Sequence, residues 1–131
     1  MKIDLRIPPC APLWEVADFA KQCEEAGFNG IGIMDSQLLE RDVFLSMAAV
    51  AQATSRIKIA PAVLNPMTRH SSVIASSAQT LAELAPGRID LWIGRGYSSV
   101  QSVGKSLKNG MPISWAATHS HEGSLSMTTS H

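Results

Sequence analysis

The sequence predicts an α/β protein of about four consecutive strand–helix units, arranged as the N-terminal half of a TIM (β/α)8 barrel with an irregular C-terminal tail. Three observations carry this. Short apolar runs recur around Asp4, Ile31, Ile59 and Leu91, at intervals of 27, 28 and 32 residues, the period of repeated βαβ units. Each gap between them holds apolar residues at helical spacing. The loop after the first run, Ile7-Pro8-Pro9-Cys10-Ala11, lacks the Gly-rich phosphate turn that an open doubly wound sheet places there, and a barrel needs none.

The first strand spans Lys2 to Ile7 and stops at Pro8-Pro9, because proline cannot donate to a ladder. Pro12 opens a helix with Leu13, Val16, Ala17, Ala20 and Cys23 as its apolar row and Gly27 past its end. Phe28 to Met34 is the second strand, ending in Asp35-Ser36. Asp42 caps a helix running to about Ser55, with Val43, Phe44, Met47, Val50 and Ala51 facing inward. Ile57 to Leu64 is the third strand. His70-Ser71-Ser72 opens the third helix, whose buried row is Ile74, Ala78, Leu81 and Ala85 and whose stop is Gly87; Ile89 to Ile93 is the fourth strand.

The character changes after Val103. Residues 104–131 include nine Ser or Thr and three His, with no apolar row at helical or strand period, so residues 1–103 form the domain and 104–131 read as a poorly ordered tail. A shifted reading frame or a premature end would produce such a tail.

With 131 residues and no net charge, the chain suits one domain with a core. At 45% apolar and 17% charged, it is ordinary globular material, and nothing in it asks for nucleic acid. Apolar runs fall short of the roughly 20 residues that span a bilayer. Charges interrupt the N-terminal apolar stretch, unlike a signal peptide, so a cytoplasmic protein is expected. Cys10 and Cys23 are expected to remain reduced there; Cys10 reads as a small loop residue more readily than as a reactive thiol.

In a parallel β/α array the loops after the strands gather at one edge, where ligands bind. Function is therefore expected at Asn65 to His70 and Gly94 to Ser99. Arg69 and His70 could bind an anionic substrate or polarise a carbonyl. The structural alternative is that Arg69 pairs with a carboxylate while His70 caps the third helix. Asp35 could accept from a ring N–H or merely end its strand. Arg95, between two glycines, could closely approach a ligand. Trp14, Trp92 and Met34 read as core. His119 and His121 lack a third partner, so no metal site is expected.

Four stretches together, Asp35-Ser36, Ala53-Thr54-Ser55-Arg56-Ile57-Lys58, Asn65-Pro66-Met67-Thr68-Arg69-His70 and Gly94-Arg95-Gly96, resemble the bacterial luciferase-like family of flavin- or deazaflavin-dependent oxidoreductases. The closest pattern is its branch containing methylenetetrahydromethanopterin reductase, over residues 3–103. The resemblance implies a barrel binding FMN or the deazaflavin coenzyme F420 at the C-terminal strand ends, with hydride or oxygen chemistry at the ring. It maps a bulge, sometimes with a non-proline cis peptide, onto Ala62-Val63-Leu64. It places Asp35 and Ser36 at the ring edge, Ala62 and Val63 at the bulge that carries the ring, and Asn65, Arg95 and Gly96 beside it. Arg69 and His70 would then face a small-molecule substrate. No catalytic acid or base is named.

Ser71 stands where the family commonly has proline, and Tyr97 where it has an acidic residue. After Val103 the family pattern would continue with four more β/α units, absent here. A half barrel has open edges and an apolar interior facing water, so a second copy or a complementary half would have to complete it. The rival reading is a truncated or frameshifted fragment, non-catalytic, acting if at all through such pairing. A small open receiver- or flavodoxin-like binding module is a further rival, disfavoured by the missing acidic cluster and phosphate loop.

Overall fold

A computed structural model describes residues 1–95, 98–103, 114–119 and 125–130. Four strands, β1 (Asp4–Ile7), β2 (Gly30–Ile33), β3 (Lys58–Leu64) and β4 (Leu91–Ile93), lie side by side in chain order, all parallel. Between them run α1 (Leu13–Glu25), α2 (Val43–Ala53) and α3 (Ser71–Leu84); a short α4 (Ser98–Ser102) follows β4. This is the wall of a (β/α)8 barrel, represented by its first four units.

The helices form where apolar spacing and caps agree. Asp42 accepts from the N–H groups of Phe44 and Leu45 at 2.9 and 3.0 Å, and His70 accepts from Ser72 N–H at the start of α3. Gly27 and Gly87, at φ of 90° and 70°, take the left-handed conformation that stops α1 and α3.

One core lies between the sheet and its helices. Ile7, Ile31, Ile33, Ile57, Ile59 and Leu64 supply the strand side, while Val16, Ala20, Met47, Val50, Ile74 and Leu81 supply the helix side. Alternation along each strand therefore sends the intervening residues to the opposite, inner face. These are Asp4 and Arg6, Gly30 and Gly32, Lys58, Ala60 and Ala62, and Trp92. The expected apolar interior is thus replaced by small and charged residues, which tolerate water. Trp92 is 44% exposed on this face and Trp14 is exposed on α1, so neither belongs to the core that their size predicts.

At the N-terminal strand ends, the loop before β3 is fastened by Glu24. Its carboxylate accepts from the backbone N–H groups of Ser55 (3.0 Å), Arg56 (2.6 Å) and Ile57 (2.7 Å). Partial burial disfavours the ionised form, but these donors and the Ser55 hydroxyl outweigh it and hold the group at about 2. Arg56 donates to the Glu24 carbonyl, Lys58 to the Gly87 carbonyl, and Arg88 to Thr54 Oγ1 and the Ala51 carbonyl. The Thr54-Ser55-Arg56-Ile57-Lys58 stretch is accordingly an anchor at this end of the sheet.

The region expected to be an irregular tail contains two strands, β5 (Ser114–His119) and β6 (Leu125–Ser130). β5 runs antiparallel to β4, and β6 antiparallel to β5. The unpaired edge of β4 offers backbone donors and acceptors to any extended segment, and a Ser/Thr-rich one can take them without an apolar row. Residues 104–113, 120–124 and 131 lie outside the described residues. No helix among the described residues is long and apolar enough to cross a membrane.

Candidate functional site

The C-terminal ends of β2, β3 and β4 converge with the loops that follow them. At the end of β3 the register slips: Ala62 pairs with Trp92, yet Leu64 pairs with Ile93, leaving Val63 as an extra residue. The Ala62–Val63 peptide is cis, at the position that the resemblance marked. Leu64 returns to the core, while Val63 is thrown outward and stays 42% exposed. Its close neighbour across the sheet is Gly94: a Cβ there would lie 2.6 Å from Val63 Cγ2. Gly32 has a similar part lower on the same face, where a Cβ would lie 2.7 Å from that of Ala62. The result is an apolar ledge whose flatness depends on two missing side chains.

Around the ledge runs a polar network centred on Asp35, whose side chain is only 2% exposed. Asp35 Oδ1 accepts from Gln37 Nε2 at 2.6 Å, and Oδ2 accepts from Asn65 N–H at 3.0 Å and from an Arg69 guanidinium nitrogen at 2.7 Å. The other guanidinium nitrogen reaches Asp42 Oδ2 at 3.1 Å, and the group lies 5.4 Å from the centre of the Phe44 ring. Burial works against the Arg69 charge, but the hydrogen bonds and charges of Asp35 and Asp42 prevail and raise its pKa above the usual value.

Asn65, fully buried, donates from Nδ2 to Ser99 Oγ at 2.8 Å and accepts from Met67 N–H at 2.9 Å. This ties the loops after β3 and β4 together. The loops after β1 and β2 are joined likewise, because Arg41 donates to the Pro9 carbonyl from its backbone and to the Cys10 carbonyl from its side chain.

Of the residues singled out in the sequence, Asp35, Ala62, Val63, Asn65 and Arg69 meet here. Asp35 and Arg69 satisfy each other, and His70 is the α3 cap, so the structural alternatives raised for Arg69 and His70 both occur. Ser36 is half-buried beside Asp35; Arg95 is exposed past the end of β4; Gly96 lies outside the described residues, as does His121. Ser99 ends the Gly94 to Ser99 stretch where function is expected but was not singled out, and Gln37 was not picked out at all. A serine and a glutamine carry no signal until the fold sets them beside Asn65 and Asp35. A cavity of about 580 Å³ opens at the other, N-terminal end, lined by Lys2, Asp4, Lys58, Asp90 and Trp92 among others. It is the mouth of the inner face and lies away from the loops that α/β proteins use for ligands. The described residues contain no group of three or more His, Cys, Asp or Glu that could hold a metal ion.

Residues 4–119 match the family model for luciferase-like monooxygenases. The chain belongs to the luciferase-like monooxygenase family. The match continues past Val103, where the motif resemblance ended. Among curated relatives of this luciferase-like chain, 5,10-methylenetetrahydromethanopterin reductase of Methanolobus tindarius is 32% identical over 88% of this chain and 33% of its own length. F420-dependent glucose-6-phosphate dehydrogenase of Kineococcus radiotolerans is 39% identical over 63% of this chain and 27% of its own. In structure it resembles the F420-dependent tetrahydromethanopterin reductase of Methanopyrus kandleri (TM-score 0.77, 26% identity, 81% of this chain and 30% of that one). It also resembles the oxygenating constituent of 3,6-diketocamphane monooxygenase from Pseudomonas putida, solved with FMN (TM-score 0.69, 26% identity, 83% of this chain and 33% of that one). The luciferase-like chain thus spans about a third or less of the length of these relatives.

Proposed function

We propose that this chain supplies the N-terminal part of a flavin or deazaflavin site and serves an oxidoreductase reaction on a small molecule, with FMN or F420 as cofactor. The observation that carries the reading is the ledge at Val63, kept flat by Gly94 and rimmed by buried hydrogen-bonding groups. A planar tricyclic ring fits such a ledge, and a Cβ on Gly94 would disturb it by pressing on Val63 Cγ2. The membership of the family, and relatives whose names specify F420 or whose structure holds FMN, support the choice of ligand. When bound, the ring supplies the hydride or oxygen chemistry.

The chain's own residues hold and orient. Ala62 and Val63 support the ring, Ser36 lies at its edge, and Asn65 and Arg95 flank it. Asp35 acts through others: with both oxygens already engaged, it fixes the Asn65 backbone and the Arg69 guanidinium. Arg69 and His70 hold the loop that faces the substrate.

A second reading has a specific support. The outer edge of β1 has no strand partner among the described residues, and the inner face is open to solvent. On this reading the chain is a non-catalytic barrel fragment that self-associates or pairs with a complementary half. Titration of the purified chain with F420 and, separately, FMN, followed by fluorescence alongside its mass in solution, tests both. Saturable binding by a folded chain, weakened by Gly94→Val, is the expected outcome. A folded dimer that binds neither compound would overturn the cofactor reading in favour of the second.

A further inference from the structure

The turn after β2 contains two polar atoms that the network leaves without a partner. Gln37 Oε1 and Glu40 Oε2 are both shut off from solvent and neither meets a hydrogen-bond donor. Both belong to the turn from Ser36 to Glu40, which is closed by the Glu40 N–H on the Ser36 carbonyl at 3.0 Å. The orientation of the Gln37 amide is not free. Its Nε2 must face Asp35 Oδ1, since that oxygen needs a donor, and Oε1 is left as an acceptor. A buried carboxylate oxygen with no donor is expensive, and a proton on the carboxylate lowers the cost by removing its charge.

The neighbourhood is mixed. Asp35 on the end of β2 disfavours a second negative charge, while Arg6 on β1 and the backbone N–H of Ser36 favour it. Burial is the largest influence, and the balance lifts the Glu40 carboxyl above its usual range. Arg6 is exposed on the inner face, so its cation remains available to a carboxylate formed at this edge.

We propose that Glu40 is the proton-exchanging group of the candidate site, holding a proton on its buried Oε2 and leaving, when the proton departs, a carboxylate whose negative charge is offset by the Arg6 cation. A proton consumed or released by chemistry on the ledge then has a local store on the loop that borders it. This rests on the reading of the edge as a ligand site, but its first test does not.

In the full chain with carbon-13-labelled glutamate, NMR titration is expected to show one side chain titrating above the ordinary glutamate range. Glu40→Gln should delete that signal, and Arg6→Gln should move it further up. A Glu40 midpoint in the ordinary range, or one indifferent to Arg6→Gln, would overturn the proposal. F420 affinity measured between pH 5 and 8 is expected to vary less steeply in Glu40→Gln than in the parent, since the amide keeps the shape of the protonated acid and removes its titration. An equally steep profile in the variant would also overturn it. If the titration behaves as stated and neither F420 nor FMN binds, the cofactor reading fails and the proton site stands.

Discussion

The two ends of the parallel strands carry charged side chains in similar supply and use them in different ways. At the N-terminal end, Glu24, Arg56, Lys58 and Arg88 spend their hydrogen bonds chiefly on backbone atoms of neighbouring loops. At the C-terminal end, Arg69 bridges the carboxylates of Asp35 and Asp42, which also accept from Gln37 and from the backbone N–H groups of Asn65, Phe44 and Leu45. Charges that grip backbone fix the loops themselves. The Asp35–Arg69 bridge ties the loop after β2 to the loop after β3. Barrel enzymes divide stability and ligand contact between the same two ends.

The largest effect should come from breaking the C-terminal network. Arg69→Met leaves the Asp35 charge buried without its cation, and a loss of about 3 kcal/mol in urea unfolding is expected, on the scale of a broken buried pair. A loss within about 0.5 kcal/mol would make the network a surface feature and erase the contrast. At the other end, Glu24→Ala removes the acceptor of three backbone donors, of which Ile57 N–H is the part-buried one, and should cost about 1 kcal/mol by the same assay. F420 binding by the folded fraction should be unchanged, which sharpens the division of labour.

Acid offers a milder way to break the same anchor. The Glu24 carboxyl lies at about 2 in the folded chain against 4.5 ordinarily, so its contribution is complete above pH 4.5 and is lost as pH falls toward 2. Allowing for screening at a partly exposed site, up to about 1 kcal/mol should disappear over that window in the parent. Glu24→Gln should remove this part of the dependence when urea midpoints are compared at pH 7 and pH 3. Smaller still is Leu38, a bulky side chain at φ of 68° and highly exposed in the loop after β2. Leu38→Gly should leave stability unchanged or raise it by up to about 1 kcal/mol, because relief of the left-handed conformation opposes glycine's extra unfolded-state freedom. A clear loss in thermal unfolding would show that Leu38 makes a contact worth more than its backbone conformation costs.

Much of this arrangement is legible in the sequence, and the reason is periodicity. The rows that read as helix faces, such as Val16, Ala20 and Cys23 or Ile74, Ala78 and Leu81, are the rows buried against the sheet. Asp42 and His70 announce helix starts because a cap acts within three residues. What stays hidden is pairing at a distance. Asp35 meets Arg69, and Glu24 meets Ser55 to Ile57, across some thirty positions, and only the stacking of consecutive units sets that separation. The inner face is hidden for another reason: in a strand of four or seven residues, Gly30, Gly32, Ala60 and Ala62 look like ordinary apolar filling until the outward row is known. The two tail strands escape notice because an edge recruits them by backbone bonding.

That recruitment has a consequence for assembly. In a closed barrel the edge of β4 is met by another parallel strand, whereas here an antiparallel strand of the same chain already occupies it. A strand tethered so near has a high effective concentration at that edge, so an incoming chain must outcompete a neighbour that never diffuses away. The edge of β1 has no such internal competitor among the described residues, so any added strand would meet less resistance there than at β4.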